Sequence, residues 1–164
     1  MSRNTWFGAT LTKKDLGGEV IHYNWISMIA PSVVEYFVQM QSSLASKEYK
    51  PNFILSIDSL TTKFEGLFRE FCIRIKTPTS TNNKTTMQEL YIHQLLKHPT
   101  IQKSFTEDDR LLFEYLFTKE NGLNLRNNIA HCYFDYSDYS YGYFHLLLAA
   151  LLRLGTYKFN IEQK

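Results

Sequence analysis

The stretch FILSIDSLTTKFEGLFREFCIRI, residues 53–75, decides the fold class. Its apolar positions Phe53, Ile57, Leu60, Phe64, Leu67, Phe68, Phe71 and Ile75 recur at intervals of three and four, which is one face of an α-helix. Asn52 or Ser56 is positioned to open that helix. Upstream, Ile21, Trp25, Met28, Ile29, Val33, Phe37, Met40 and Leu44 keep the same period from Glu19 to about Leu44. Pro31 inside that run predicts a kink, or two helices meeting near Ala30. Downstream, Met87 to His98 reads as a short helix stopped by Pro99, with Leu90, Tyr91, Leu95 and Leu96 turned inward. Thr106 with Glu107, Asp108 and Asp109 has the form of a cap and an acidic first turn, opening a helix that ends near Lys119. Two further helices are expected, from Leu123 to Tyr133 and from about Tyr139 to Leu154, the last with Gly155 as its C-cap. Residues 77–86 contain no apolar side chain and read as a long exposed loop. No strand alternation and no internal repeat is visible. The expected architecture is therefore all-α, a bundle of five or six helices.

A chain of 164 residues fits one domain with a real core. Hydrophobic residues at 44% and charged residues at 21% exclude a disordered tail, and only 7 Gly and 4 Pro exclude collagen. Residues 1–15 are polar and aperiodic and read as an N-terminal arm or linker, leaving residues 16–164 as the helical domain. Lys and Arg number 18 against 16 Asp and Glu, so there is no polycationic arm, and any nucleic-acid contact must be local. Aromatic residues at 15% exceed what a core needs and point to an interface. The start, Met1 to Gly8, has no secretory pattern, and the longest apolar run, Phe144 to Leu154, is shorter than the roughly 20 residues of a membrane span. A reducing cytoplasm is the expected compartment. Cys72 and Cys132 allow one disulfide arithmetically but no cysteine framework. The glycosylation pattern Asn83-Lys84-Thr85 is read as chance.

The chain carries no phosphate-binding glycine loop, GxSxG, HExxH or paired CxxC. His93 and His98 lie five apart and face different sides of one helix, so no metal and no cofactor is expected. His22 and His145 lie in apolar runs and read as core or surface histidines. One segment stands out: GLNLRNNIAHCY, residues 122–133. With Asn124 as N-cap, Leu125, Ile129 and Cys132 form the core stripe, and Asn128 lies near it. Arg126, Asn127, Ala130 and His131 gather on the opposite side, with Asn127 and His131 at i and i+4. Arg126 sits in the first turn, where free amides favour an anion. A guanidinium beside an imidazole is the pair that cleaves a phosphodiester without metal: Arg neutralises developing charge and His moves the proton. The same four residues also fit the solvated side of a surface helix.

Arg126-Asn127-Asn128-Ile129-Ala130-His131 resembles the R-x4-H signature of the HEPN superfamily, small all-helical domains of which many are RNases. The wider segment is similar to HEPN-like domains marked by RNxxxHG, with Cys132 standing where those have Gly. Tyr133 also matches the R-x4-H-x-Y of HEPN toxins that are paired with nucleotidyltransferase antitoxins. FEGLFREF, residues 64–71, resembles the acid-bearing second helix, and the likeness runs from Leu16 to about Tyr157. The resemblance implies a homodimer whose motif helices face each other across a twofold axis, with Ala130 allowing close approach. It implies metal-independent RNA cleavage by Arg126 and His131 through the 2′-hydroxyl, as a toxin or antiviral defence effector with an antitoxin or a larger defence partner. Asn127 would orient the phosphate or the imidazole. Glu65 would act as an orienting carboxylate or as a salt-bridge partner of Arg69. Tyr133 would be a site of regulatory modification or an aromatic packed in the core or at an interface. The alternative function is a non-catalytic HEPN module for dimerisation, adaptor work or RNA and nucleotide sensing.

Overall fold

The helix expected from residues 53–75 forms as α2 (Ile54–Arg74) and is the centre of the molecule. Phe53, Ile57, Leu60, Phe64, Leu67, Phe68 and Phe71 are all buried, so the stripe that predicted the helix is the stripe it hides. The computed structural model describes residues 5–83 and 86–159. In chain order they form a 3₁₀ turn (Trp6–Gly8), β1 (Leu11–Lys14), β2 (Val20–Tyr23), α1 (Trp25–Ala45), α2, β3 (Ser80–Asn83), β4 (Thr86–Glu89), α3 (Ile92–Leu96), α4 (Pro99–Ser104), α5 (Glu107–Phe117), α6 (Leu125–Ala130) and α7 (Tyr141–Thr156). Helices α1, α7, α6 and α3 all pack on α2. α1 packs tightly on α2 at Gly66, where a Cβ would lie 2.6 Å from the Trp25 ring. Aromatic stacking fills the interior, with Phe64 and Phe117 at 4.3 Å and Phe71 and Phe105 at 4.6 Å between ring centroids.

The fold is mostly helical, but it is not all-α. Two antiparallel hairpins are present, β1 with β2 and β3 with β4. Their strands are four residues each, and β1 and β2 are exposed along most of their length, so neither carries the apolar alternation that marks a half-buried strand. The first hairpin turns at Gly18 with φ +84°, and Asp15 Oδ1 accepts from the Glu19 amide at 2.8 Å. Ile21, assigned to the first helix by its spacing, lies on β2 and is exposed. The expected loop 77–86 holds β3 and the start of β4, paired from Ser80 opposite Glu89 to Asn83 opposite Thr86. Residues 84 and 85, part of the glycosylation pattern, lie outside the described residues.

The arm expected at residues 1–15 also differs. Trp6 and Phe7 are 8% and 1% exposed and belong to the core, and the Trp6 indole donates to the Leu154 carbonyl at 3.3 Å. Residues 1–4 and 160–164 lie outside the described residues. Pro31 lies inside α1, which runs as one helix from Trp25 to Ala45. Pro99 does not simply stop a helix; it occupies the first position of α4, where its fixed φ suits a helix start. Gly155 is within α7 rather than after it, and a Cβ there would be 3.1 Å from the Phe7 ring.

Asp109 joins α5 to α7. Its buried carboxylate accepts from Arg153 Nε at 2.5 Å and from the Tyr157 hydroxyl. Burial pushes this carboxyl up, but hydrogen bonds from Arg153, Tyr157 and Thr106 and the Arg153 charge outweigh it, leaving it below the usual carboxylate range.

Candidate functional site

The chain leaves α5 and returns tightly beneath it. The Gly122 amide donates to Lys119 O at 3.0 Å and the Leu123 amide to Tyr115 O at 2.9 Å. A Cβ on Gly122 would sit 2.2 Å from that Tyr115 oxygen, so only glycine fits the return. Asn124 then takes φ +40° and precedes α6. It stands at the expected N-cap position, but its side chain makes no cap bond; its carbonyl accepts from the Asn127 and Asn128 amides instead. Asn128 Nδ2 donates back to Leu123 O at 2.9 Å, and Leu125 is fully buried as the anchor.

The motif helix is shorter than expected, six residues in place of eleven. It closes with the Tyr133 amide on Asn128 O at 2.8 Å and the Cys132 amide on Ile129 O at 3.1 Å. That pair of bonds is a Schellman ending, which needs a left-handed residue at the position of Cys132, and Cys132 has φ +53°. Glycine takes this backbone freely, which gives a physical reason for Gly in the RNxxxHG pattern that the segment resembles. Cys132 is therefore exposed rather than on the core stripe, while Ile129 is half-buried. With so few residues, α6 brings no helix dipole of consequence to Arg126.

Arg126, Asn127 and His131 line one open cleft of about 790 Å³, together with Tyr91, His93, Lys97, Glu114 and Lys119. The face predicted for the motif is thus brought to a single concave surface, with Ala130 exposed beside it. Glu65 reaches two arginines. One oxygen pairs with Arg69 at 2.9 Å, and the other accepts from Arg126 Nε at 3.3 Å. Because Glu65 holds Nε, the two terminal nitrogens of Arg126 have no carboxylate partner among the described residues. The Arg126 side chain is 34% exposed and lies over the Tyr91 ring, 5.5 Å from its centroid. Tyr133 is 68% exposed, which removes the packed-aromatic reading within this chain; its ring lies 5.4 Å from that of His131.

Among the described residues no three His, Cys, Asp or Glu side chains gather as a metal site. His98 caps α4 by accepting from the Thr100 amide at 3.3 Å, His145 Nε2 is 2.6 Å from the Tyr36 hydroxyl, and His22 pairs with Thr12 on the first hairpin. Cys72 and Cys132 are free, and burial pushes the Cys72 thiol up to about 12. The residues that the sequence did not announce are Tyr91 and His93. Tyr91 was expected inward, yet the buried position is its neighbour Ile92. No helix among the described residues is long and apolar enough to cross a membrane. Comparison with protein-family models, curated proteins and solved structures gives no match to the chain.

Proposed function

We propose that the chain is a metal-independent endoribonuclease of HEPN type, a cytoplasmic toxin or defence effector that works as a homodimer. The observation that supports this best is the meeting of Arg126, Asn127 and His131 in one cleft, with Arg126 held by Glu65 through Nε. A guanidinium held this way keeps both terminal nitrogens for the two non-bridging oxygens of a phosphodiester, a bidentate match. The 2′-oxygen attacks phosphorus as the bond to the 5′-oxygen breaks. His131 takes the 2′-hydroxyl proton while water protonates the departing oxygen, or gives its proton to that oxygen while water takes the one from the 2′-hydroxyl, leaving a 2′,3′-cyclic phosphate and a 5′-hydroxyl. Asn127 orients the phosphate, and Glu65 acts as a positioning residue through Arg126. Exposed Ala130 and His131 fit a twofold contact that sets two such clefts side by side. Tyr133, exposed against His131, is where an added phosphate or nucleotide would restrain the enzyme.

The test is degradation of single-stranded RNA in EDTA by wild type, His131→Ala and Arg126→Ala, each with its circular dichroism spectrum. Wild type is expected to cleave, and each variant to lose on the order of 10²–10³ in rate while staying folded. Full activity in His131→Ala would assign the cleavage to another site or to a contaminant. RNA binding without cleavage by wild type would favour the binding-only module.

A further inference from the structure

The wall of the cleft opposite α6 has a use that the cleavage step leaves unassigned. Tyr91 and His93 flank the buried Ile92, so both rings are turned out of the core. The rings lie nearly parallel, 12° apart, with centroids separated by 5.8 Å. Tyr91 is 46% exposed, and Arg126 lies against its ring.

The position of this pair relative to Arg126 is built rather than incidental. Arg69 pairs with Glu89 at 2.7 Å, donates to Leu90 O at 2.7 Å and pairs with Glu65 at 2.9 Å. Glu65 in turn pairs with Arg126 at 3.3 Å. One guanidinium therefore ties the end of β4, just before Tyr91, to the carboxylate that positions Arg126. Gln94 Oε1 accepts from the Tyr91 amide at 2.8 Å and fixes the start of α3. Lys97, one turn beyond His93, also lines the cleft and is in no ion pair among the described residues, whereas Lys119 is paired with Glu114 at 3.3 Å.

We propose that Tyr91 and His93 form a nucleobase platform beside Arg126, and that the cleft takes single-stranded RNA with Lys97 on a neighbouring phosphate. This rests on the ribonuclease reading given above and adds the substrate class to it. An exposed aromatic pair next to a guanidinium is the arrangement on which unpaired bases stack, and it accepts any base because every base has a π-face. A base inside a duplex is covered on both faces and cannot use it, so paired RNA is excluded by the same geometry. A base seated on the platform brings the phosphate of its own nucleotide toward Arg126 and His131.

The experiment uses a single-stranded RNA carrying one 2-aminopurine, whose fluorescence falls when the base stacks, and the same RNA annealed to its complement. Binding is read on His131→Ala, alone and combined with Tyr91→Ala or Tyr91→Phe. Cleavage is read on the single Tyr91 variants in EDTA. Tyr91→Ala is expected to weaken binding roughly 10- to 100-fold, the effect of losing one aromatic–base stack, and to abolish the quench, while Tyr91→Phe retains both. The duplex is expected to bind weakly and to resist cleavage. Single-stranded DNA of the same sequence should quench but survive, since stacking ignores the 2′-hydroxyl. Unchanged binding and cleavage in Tyr91→Ala, or equal cutting of duplex, would overturn the platform and leave the nuclease standing. Tyr91-dependent quenching with no cleavage by wild type would sink the nuclease reading and keep the platform. The Tyr91 backbone amide still donates to Gln94 Oε1 in every variant, so circular dichroism should be unchanged.

Discussion

The rings of Phe64 and Phe117 stack 4.3 Å apart in the interior, while those of Tyr91 and His93 lie 5.8 Å apart in the wall of an open cleft. Both pairs are close and nearly parallel, and they differ in what surrounds them. Around Phe64 no ring surface is left to water, so its contacts go to stability: burying a Phe side chain contributes about 1.5–3 kcal/mol. Tyr91 keeps nearly half of its surface, so much of what its ring can gain remains for a ligand. Stacking geometry alone does not tell the two pairs apart; burial does. Tyr157 sides with the interior pair, since its ring packs edge-on against Phe105 at 4.9 Å and its hydroxyl donates to Asp109.

The contrast is broken most severely from the inside. Phe64→Ala should cost about 3–5 kcal/mol in urea or thermal unfolding, because a filled core site becomes a cavity. Its cleavage activity should then fall only as the folded fraction falls.

Next in size is Asp109. Its carboxyl lies below the usual carboxylate range in the folded chain, so as pH falls the unfolded chain takes up the proton first. Its contribution is therefore complete above about pH 5 and disappears as pH drops through the ordinary carboxylate range to the lowered folded value. Asp109→Asn should lose about 2 kcal/mol near pH 7, and its stability should be flatter than wild type as pH falls below about 5. Parallel melting curves across that window would contradict the assignment.

Cys132→Gly works in the other direction. It removes a side chain from a left-handed position and should gain about 0.5–1 kcal/mol, less whatever the freer unfolded chain takes back. A loss of stability would mean that the thiol makes a contact that matters.

The smallest effect sharpens the comparison most. Tyr91→Ala and Tyr133→Ala should each shift stability by less than about 0.5 kcal/mol, the range of exposed substitutions. A shift of several kcal/mol at Tyr91 would move it into the same class as Phe64.

Much of the helical core was legible because burial there is periodic. Many of the residues spaced three and four apart in α2 are buried, and Thr106 accepts from the Asp109 amide as a cap should. The first hairpin was not legible, since its short strands bury too little to imprint alternation. Trp6 and Phe7 were missed because two apolar residues in a polar stretch have no period at all.

The sequence by itself determined where the long helices lie and which short segment carries Arg, Asn and His at helical spacing, because both are statements about neighbours a few residues apart. Only the tertiary structure decided that Glu65 serves Arg69 and Arg126 together, and that Tyr91 stands beside a residue 35 positions later rather than in the core. Those pairings join α2, the end of the second hairpin and α6. They depend on how packed elements meet across long separations, which local spacing does not encode.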